Sequence, residues 1–335
     1  MSTGTPDLVL STAPFLREAA TTPRIMREVL LAALLVLLAA CWNFGIGAIL
    51  VVAASSAGAA STEWLFTRSQ SPSPLRDYSA LTTGVLLGLT LPPAIPLWMA
   101  FLGGAAGIGL GKLLWGGLGQ NLFNPALVGR AFLQASFPTA ITTWSQPAAS
   151  GSRLALPESL FASPLMGSGV DAVSAATPLG LAKFEHHITD LGSLFVGNTA
   201  GSLGETSAAL LLLCGLWLGA RRIFDWRLPV STLLSVAVLS AVLHYLLPGS
   251  APPPSFMLAS GGLLFAAVFM VTDPVTTPTT PRGAWLFGIG VGALVVLIRL
   301  YGGLPEGVMY AILLMNAVSP HISRHTQRRP FGARK

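Results

Sequence analysis

Charge is scarce in this sequence. Only 10% of the 335 residues are Asp, Glu, Lys or Arg, and the acidic ones number 13. Soluble globular domains carry about 25% charge, so a water-soluble fold is excluded. Cysteine is scarcer still. Cys41 and Cys214 are the only two, and each sits inside an apolar run. They read as small core hydrophobes, not as a disulfide or a metal site. With no Cys-x-x-Cys pair the chain cannot hold an iron–sulfur cluster alone. A glycine fingerprint for dinucleotides after a strand is also missing. No cleavable signal peptide is expected, because the first apolar run is long and further runs follow it.

What is abundant is apolar sequence. Hydrophobic residues make up 52% of the chain and the mean hydropathy is +0.68. The 36 glycines suit a bundle in which helix backbones approach closely. A span needs about 20 apolar residues. On that basis the pattern predicts an all-α integral membrane protein, residues 1–335 forming one polytopic domain of about ten transmembrane helices. The spans fall near 28–45, 46–64, 78–92, 95–114, 125–144, 206–220, 228–247, 256–271, 284–300 and 306–319. The third is short and ends at Pro92-Pro93.

The formal net charge of +6 would suggest nucleic acid in a soluble protein. Here arginines cluster in particular connections instead, and nucleic acid is not an expected partner. Arg17, Arg24 and Arg27 precede the first span, Arg68 and Arg76 follow the second, and Lys112 closes the fourth. Arg221, Arg222 and Arg227 follow the sixth, Arg282 the eighth, and Arg324, Arg328, Arg329, Arg334 and Lys335 the tenth. The positive-inside rule then places both termini in the cytoplasm. Counting spans puts the polar segment 146–205 outside.

That segment contains Asp171-Ala-Val-Ser174-Ala-Ala-Thr177-Pro178. Proline biases Thr177 toward an extended backbone, and its small neighbours leave the hydroxyl unshielded. Asp171 offers a carboxylate six residues earlier. A threonine so presented suits covalent modification. The plain alternative is a loop with a capping Ser and Thr. A short amphipathic helix is expected near 179–188, and its adjacent His186 and His187 read as a solvated face because neighbours do not share a helix face.

Three stretches together carry a family resemblance. Asp171-x-x-Ser174-Ala-Ala-Thr177 looks like the signature that flavin transferases modify. Gly119-Gln-Asn121-Leu-Phe-Asn124-Pro-Ala-Leu-Val-Gly-Arg130-Ala-Phe132 and Thr272-Asp273-Pro-Val275 are similar to the same family. The chain resembles the RnfD family of Rnf ion-translocating electron-transport complexes, homologous to the NqrB component of the sodium-pumping NADH:quinone oxidoreductase. Ala175 is the visible departure, since glycine is commoner there.

The resemblance implies a flavoprotein subunit of a redox-driven pump in the bacterial inner (cytoplasmic) membrane. It implies FMN joined to Thr177 through a phosphoester, with Asp171 and Ser174 in the recognition motif. It also implies a non-covalent flavin, riboflavin in the sodium-pumping relative, near Asn121 and Asn124. Implied partners are the other membrane and peripheral subunits, including a second covalent-flavin subunit and iron–sulfur subunits. A flavin transferase for maturation and Na+ or H+ as the transported ion complete the set. The subunit is not expected to be active alone.

The residues themselves leave alternatives open. Asn124 before Pro125 is also a good helix cap. Arg130 and Gln134 lie inside the fifth span, where an arginine costs at least about 2.5–3.5 kcal/mol and must face a partner, a cavity or a ligand. It could also snorkel to water near the cytoplasmic end, or pair with a carboxylate on another helix. Asp273 could bind a cation, hydrogen-bond a flavin, pair with Arg130, or simply end a helix at Asp-Pro. Arg130 and Asp273 are expected to border one coupling region toward the cytoplasmic side. Leu81-Thr-Thr-Gly84 and Leu258-Ala-Ser-Gly261 are weakly alike. Their offset of five spans would make two inverted five-helix repeats, a transporter design. A small-solute channel or carrier of that type is the competing function, and a structural anchor a third. Neither accounts for the motif at Thr177.

Overall fold

The computed structural model describes residues 21–69, 74–148, 153–164, 175–205, 207–246 and 251–327. Asp171 and Ser174 lie outside them. The described residues are helical, with no strand among them. The first half consists of α1 (Thr22–Phe44), α2 (Gly47–Thr67), α3 (Ser79–Leu89), α4 (Leu97–Gly111), α5 (Pro125–Ser136) and α6 (Pro138–Thr142). The polar segment supplies α7 (Pro178–Phe184) and α8 (Leu191–Val196). The second half consists of α9 (Ala208–Ala220), α10 (Arg227–Leu246), α11 (Pro254–Ala259), α12 (Leu263–Phe269), α13 (Pro281–Tyr301) and α14 (Val308–Thr326).

Among the described residues, five stretches are long and apolar enough to cross a membrane: α1, α2, the run Leu97–Trp115, α10 and α13. Their outer faces are greasy at helical spacing. On α1 the exposed residues include Leu31, Leu35, Leu38 and Trp42, and on α10 they include Val230, Leu234, Val238 and Val242. Such stripes suit lipid tails, which are as apolar as leucine.

The other expected spans are shorter or broken. Helix α3 has 11 residues, about 16 Å at 1.5 Å per residue, against a hydrocarbon core of about 30 Å. The fifth span stops at Ser136, since Phe137 leaves helical geometry just before Pro138. The eighth is two short helices, α11 and α12, separated at Ser260-Gly261-Gly262, where Gly261 has φ +64°. A left-handed residue cannot continue a helix, and glycine adopts it without a Cβ penalty. The expected helix at 179–188 ends at Phe184, and His186 takes φ 53°.

Irregular backbone at depth survives only when protein covers it. Here it is covered. All of α12 and all of α3 except Leu81 are buried. Close helix packing makes the cover. Helix α2 packs on α4 and α10 packs on α13. A Cβ on Gly104 would lie 2.0 Å from the Ser55 carbonyl oxygen, and one on Gly288 would lie 1.8 Å from Ser231 Oγ. Those distances leave room for hydrogen only.

Three helices start alike. Asn124-Pro125, Thr177-Pro178 and Thr280-Pro281 each place an extended N-cap before a proline at the first helical position. The cap side chain accepts from a backbone N–H inside the first turn, and the missing proline N–H would have been unpaired anyway.

The bundle has two different ends. At one, Arg221 at the end of α9 donates to Glu28 near the start of α1, and Lys112 after α4 donates to Glu63 near the end of α2. Arg24, Arg27, Arg68 and Arg76 lie at this same basic end, on the termini of α1, α2 and α3. The opposite end holds the polar segment. Its Arg153 carbonyl accepts from Ile46 N–H at 3.0 Å, and Ala148 N–H donates to the Asn43 carbonyl at 2.7 Å, so it packs on the α1–α2 turn.

Candidate functional site

Two clefts open at these two ends, and α5 and α12 run between them. The cleft at the polar-segment end is lined by Arg130, Gln134, Trp144, Glu205, Phe265 and Glu306, among others. The cleft at the basic end is lined by Ser79, Lys112, Asn121, Asn124 and Asp273 together with Phe269. A third, smaller one joins Thr177 and Gly261 to Glu205 and Glu306, so it shares a wall with the first.

Thr177 holds the extended geometry expected before proline, φ −71° and ψ 155°. Its hydroxyl is not bare, however. The residue is 5% exposed, and Oγ1 accepts from Gly180 N–H at 3.2 Å. The expectation of an unshielded hydroxyl is therefore corrected. Buried Pro178 and Leu179 and the nearby turn at Gly261 close around it. Thr177 is both a cap and a cleft residue, so the two alternatives read from sequence coexist.

Helix α7, which Thr177 starts, is fixed from its other end. Lys183 Nζ donates to the backbone carbonyls of Arg299 (3.0 Å), Gly302 and Leu304 (3.4 Å). These carbonyls lie at and beyond the last turn of α13, which have no helical partner. A cation there also complements the helix dipole. Burial lowers the Lys183 pKa from the usual lysine range. Lys183→Met should lower stability by about 1 kcal/mol, a charge-assisted hydrogen bond discounted for partial exposure. Limited proteolysis should then cut residues 185–205 faster while the α1–α5 region stays resistant. An unchanged cleavage rate would show that Lys183 does not hold α7.

Arg130 is not free. Its guanidinium donates to Glu306 Oε2 at 3.2 Å, with 13% and 17% of the two side chains exposed. Glu306 sits in the turn before α14, and its Oε1 is buried with no partner among the described residues. Burial pushes the Glu306 pKa up to about 7, and the neighbouring Glu205 carboxylate adds to the rise, while Arg130 and Arg299 oppose it. Arg299 donates to the carbonyls of Met257 and Ser260 (2.9 Å for the latter). It thereby satisfies backbone acceptors freed where α11 breaks from α12.

Asp273 lies at the other end. Its Oδ1 accepts from Val275 N–H at 3.1 Å and its Oδ2 from the Thr276 hydroxyl at 3.3 Å. Burial raises its pKa above the usual carboxylate value. Arg130 and Asp273 therefore line separate clefts, and the expectation that they border one region is corrected. The physical reason is that α5 carries Asn124 into the basic-end cleft and Arg130, nearly two turns on, into the other. Asn121 and Asn124 accordingly join Asp273, not Arg130.

Asn124 Oδ1 accepts from Ala126 N–H at 3.0 Å and Leu127 N–H at 3.4 Å, which makes it the cap of α5. Asn121 Oδ1 accepts from Gly119 N–H at 3.3 Å, and its Nδ2 donates to the Phe123 carbonyl at 3.4 Å. Each amide is thus oriented by its own turn and reaches the cleft wall.

Sequence reasoning missed Glu63, Lys183, Glu205, Arg299 and Glu306 as site residues. The signal was present in the scarcity of charge. In a chain with 13 acidic residues, each carboxylate near an apolar run is worth pairing with a cation. Among the described residues no group of three His, Cys, Asp or Glu is arranged to hold a metal ion.

A family model described as NQR2, RnfD, RnfE matches residues 9–332. The chain is 40% identical over 337 residues to the D subunit of the proton-translocating ferredoxin:NAD(+) oxidoreductase complex of Clostridium ljungdahlii, covering 97% of this chain and 96% of that protein. It is 42% identical over 324 residues to the D subunit of the ion-translocating oxidoreductase complex of Stutzerimonas stutzeri, covering 92% of each. The Pseudomonas aeruginosa protein of the same description is 40% identical over 334 residues, covering 97% and 96%.

Proposed function

Because the chain belongs to the NQR2, RnfD, RnfE family and is a subunit of an ion-translocating oxidoreductase complex, we propose that it carries electrons on FMN esterified to Thr177 and couples their passage to Na+ or H+ movement. The observation that carries this reading is Thr177 itself. It is an extended threonine before a proline, and it lines a cleft shared with Glu205 and Glu306. The cleft at Thr177 shares Glu205 and Glu306 with the one that Arg130 lines, so a group tethered to Thr177 would lie beside those charges.

A second flavin, held without a covalent bond, is assigned to the basic-end cleft. Asn121 and Asn124 can each donate to and accept from a ring edge, and their turns hold the amides against the cleft wall. The flavins supply the redox chemistry, and the chain supplies orientation, charge and exclusion of water. Buried α3 and α12 keep both clefts within protein. Partner subunits with iron–sulfur clusters and a second covalent flavin exchange electrons with it, and a flavin transferase matures it.

The chain forms about ten membrane segments in two inverted halves of five. The packing of α2 on α4 and of α10 on α13, each pair flanking a short or broken third element, supports that arrangement. The basic end faces the cytoplasm of a bacterial inner membrane and the segment 146–205 faces outward. In a background lacking Cys41 and Cys214, Ala155→Cys should react with a membrane-impermeant thiol reagent on intact spheroplasts. Labelling only after lysis would reverse the orientation.

The deciding experiment is intact mass of the purified protein with fluorescence of its denatured gel band. One covalent FMN and one extractable flavin are expected. A colourless protein of unmodified mass would instead favour a solute channel or carrier.

A further inference from the structure

Lys112 takes no part in the proposed electron path, yet it is a lysine buried to 2% exposure. It lines the basic-end cleft beside Asn121, Asn124 and Asp273. Its ammonium donates to Glu63 Oε1 and to Ser79 Oγ, and Ser79 in turn donates to Asp77 Oδ1. Glu63 is 0% exposed, and its Oε2 has no partner among the described residues.

Burying such a pair is not needed for stability. An apolar pair of similar volume is often as good or better, because taking two charges out of water is costly. The placement is uneven in a way that matters. The cation lines the cleft, whereas Glu63 is not among the cleft residues. A molecule in the cleft therefore meets the positive end of the pair first. In a medium of low dielectric constant that field acts strongly on any change of charge in the cleft. Ser79 and Glu63 together fix the ammonium in place, so little reorganisation is needed when the charge changes.

We propose that Lys112 is an electrostatic tuning residue of the basic-end cleft, where it stabilises the one-electron reduced, more negative form of a bound flavin over the oxidised form. The inference rests on the assignment of a non-covalent flavin to this cleft. One electron arrives from the complex's own electron-transfer chain and no bond is made or broken. Lys112 keeps its proton and lowers the cost of the added charge. Asp273, on the same lining, works in the opposite direction when ionised, so the pair of residues sets the balance from two sides.

The test uses the whole complex. The double variant Glu63→Gln, Lys112→Met removes both charges together and avoids an unpaired buried carboxylate. Lys112→Arg keeps the charge and serves as the conservative variant and as the fallback if the double variant fails to assemble. The readouts are extractable flavin content and the midpoint potential of that flavin by spectroscopic titration. The double variant should keep its flavin and show at least a tenfold weaker preference for the reduced form, a fall of about 59 mV for one electron. Lys112→Arg should stay within about threefold of wild type, or about 30 mV on the same scale. An unchanged potential in the double variant overturns the inference and leaves the pair structural. If only Lys112→Arg assembles, a potential displaced as far as the double variant's expected fall also overturns it. Wild-type complex that releases no flavin overturns the flavin assignment, and this inference with it.

Discussion

Thr177→Ala should remove flavin fluorescence from the denatured gel band and return the intact mass to that of the bare chain. The loss is complete because the phosphoester needs the hydroxyl oxygen and no other hydroxyl starts α7. It is not a silent surface change. Thr177 caps the helix through Gly180 N–H and is buried, so stability should fall by about 1 kcal/mol. Thr177→Asn separates the two effects, since asparagine caps a helix as well as threonine does but offers no hydroxyl. It should retain stability and lose the flavin. A covalent band surviving in either variant would place the attachment elsewhere, and a non-fluorescent wild type would remove it altogether.

Arg130→Leu should be strongly destabilising. It leaves Glu306 largely buried with neither carboxylate oxygen paired. Breaking one side of a buried pair costs about 3–5 kcal/mol, and the lower figure applies here because both side chains keep some solvent contact. Glu306→Gln in the same chain should restore most of that loss, since a neutral amide needs no counter-charge. Thr177 should stay flavinylated in the double variant, because α7 is held by Lys183 and not by Arg130. A thermal melt of the single variant that matches wild type would show that the pair contributes nothing.

The same pair has a pH signature. The native Glu306 pKa, about 7, is above the ordinary carboxylate value of 4.5. Between those values the folded chain binds a proton that the unfolded chain has released, so stability falls as pH rises through that window and then levels off. Arg130 opposes the rise, and Arg130→Leu should extend the window upward. Glu306→Gln should flatten it. Equal slopes of melting temperature against pH in wild type and Glu306→Gln would mean that Glu306 does not titrate there.

The sequence by itself determined the class of protein. Charge at 10% and repeated apolar runs allow only a membrane helix bundle. It also determined the local caps, because Asn-Pro and Thr-Pro fix a backbone over four residues without help from the rest of the chain. Thr177 and Asn124 are set that way, and the arginine-rich connections at α1, α2, α3 and α9 do come together at one end of the bundle.

Tertiary structure alone decided which charges meet. Glu306 is 176 residues from Arg130, and Lys112 is 49 from Glu63. Such distances leave no periodic trace, since periodicity reports only which face of one helix is buried. For the same reason the sequence could not show that Arg130 and Asp273 part company. Both were ionisable groups in or near apolar spans, with nothing to say which partner each would meet. Only the direction of α5 between two clefts sends Asn124 to one and Arg130 to the other. Hydropathy also overlooked the broken eighth segment. Ser260, Gly261 and Gly262 are apolar enough to pass as span, and the break becomes stable only because Arg299, from α13, satisfies the carbonyls that it frees.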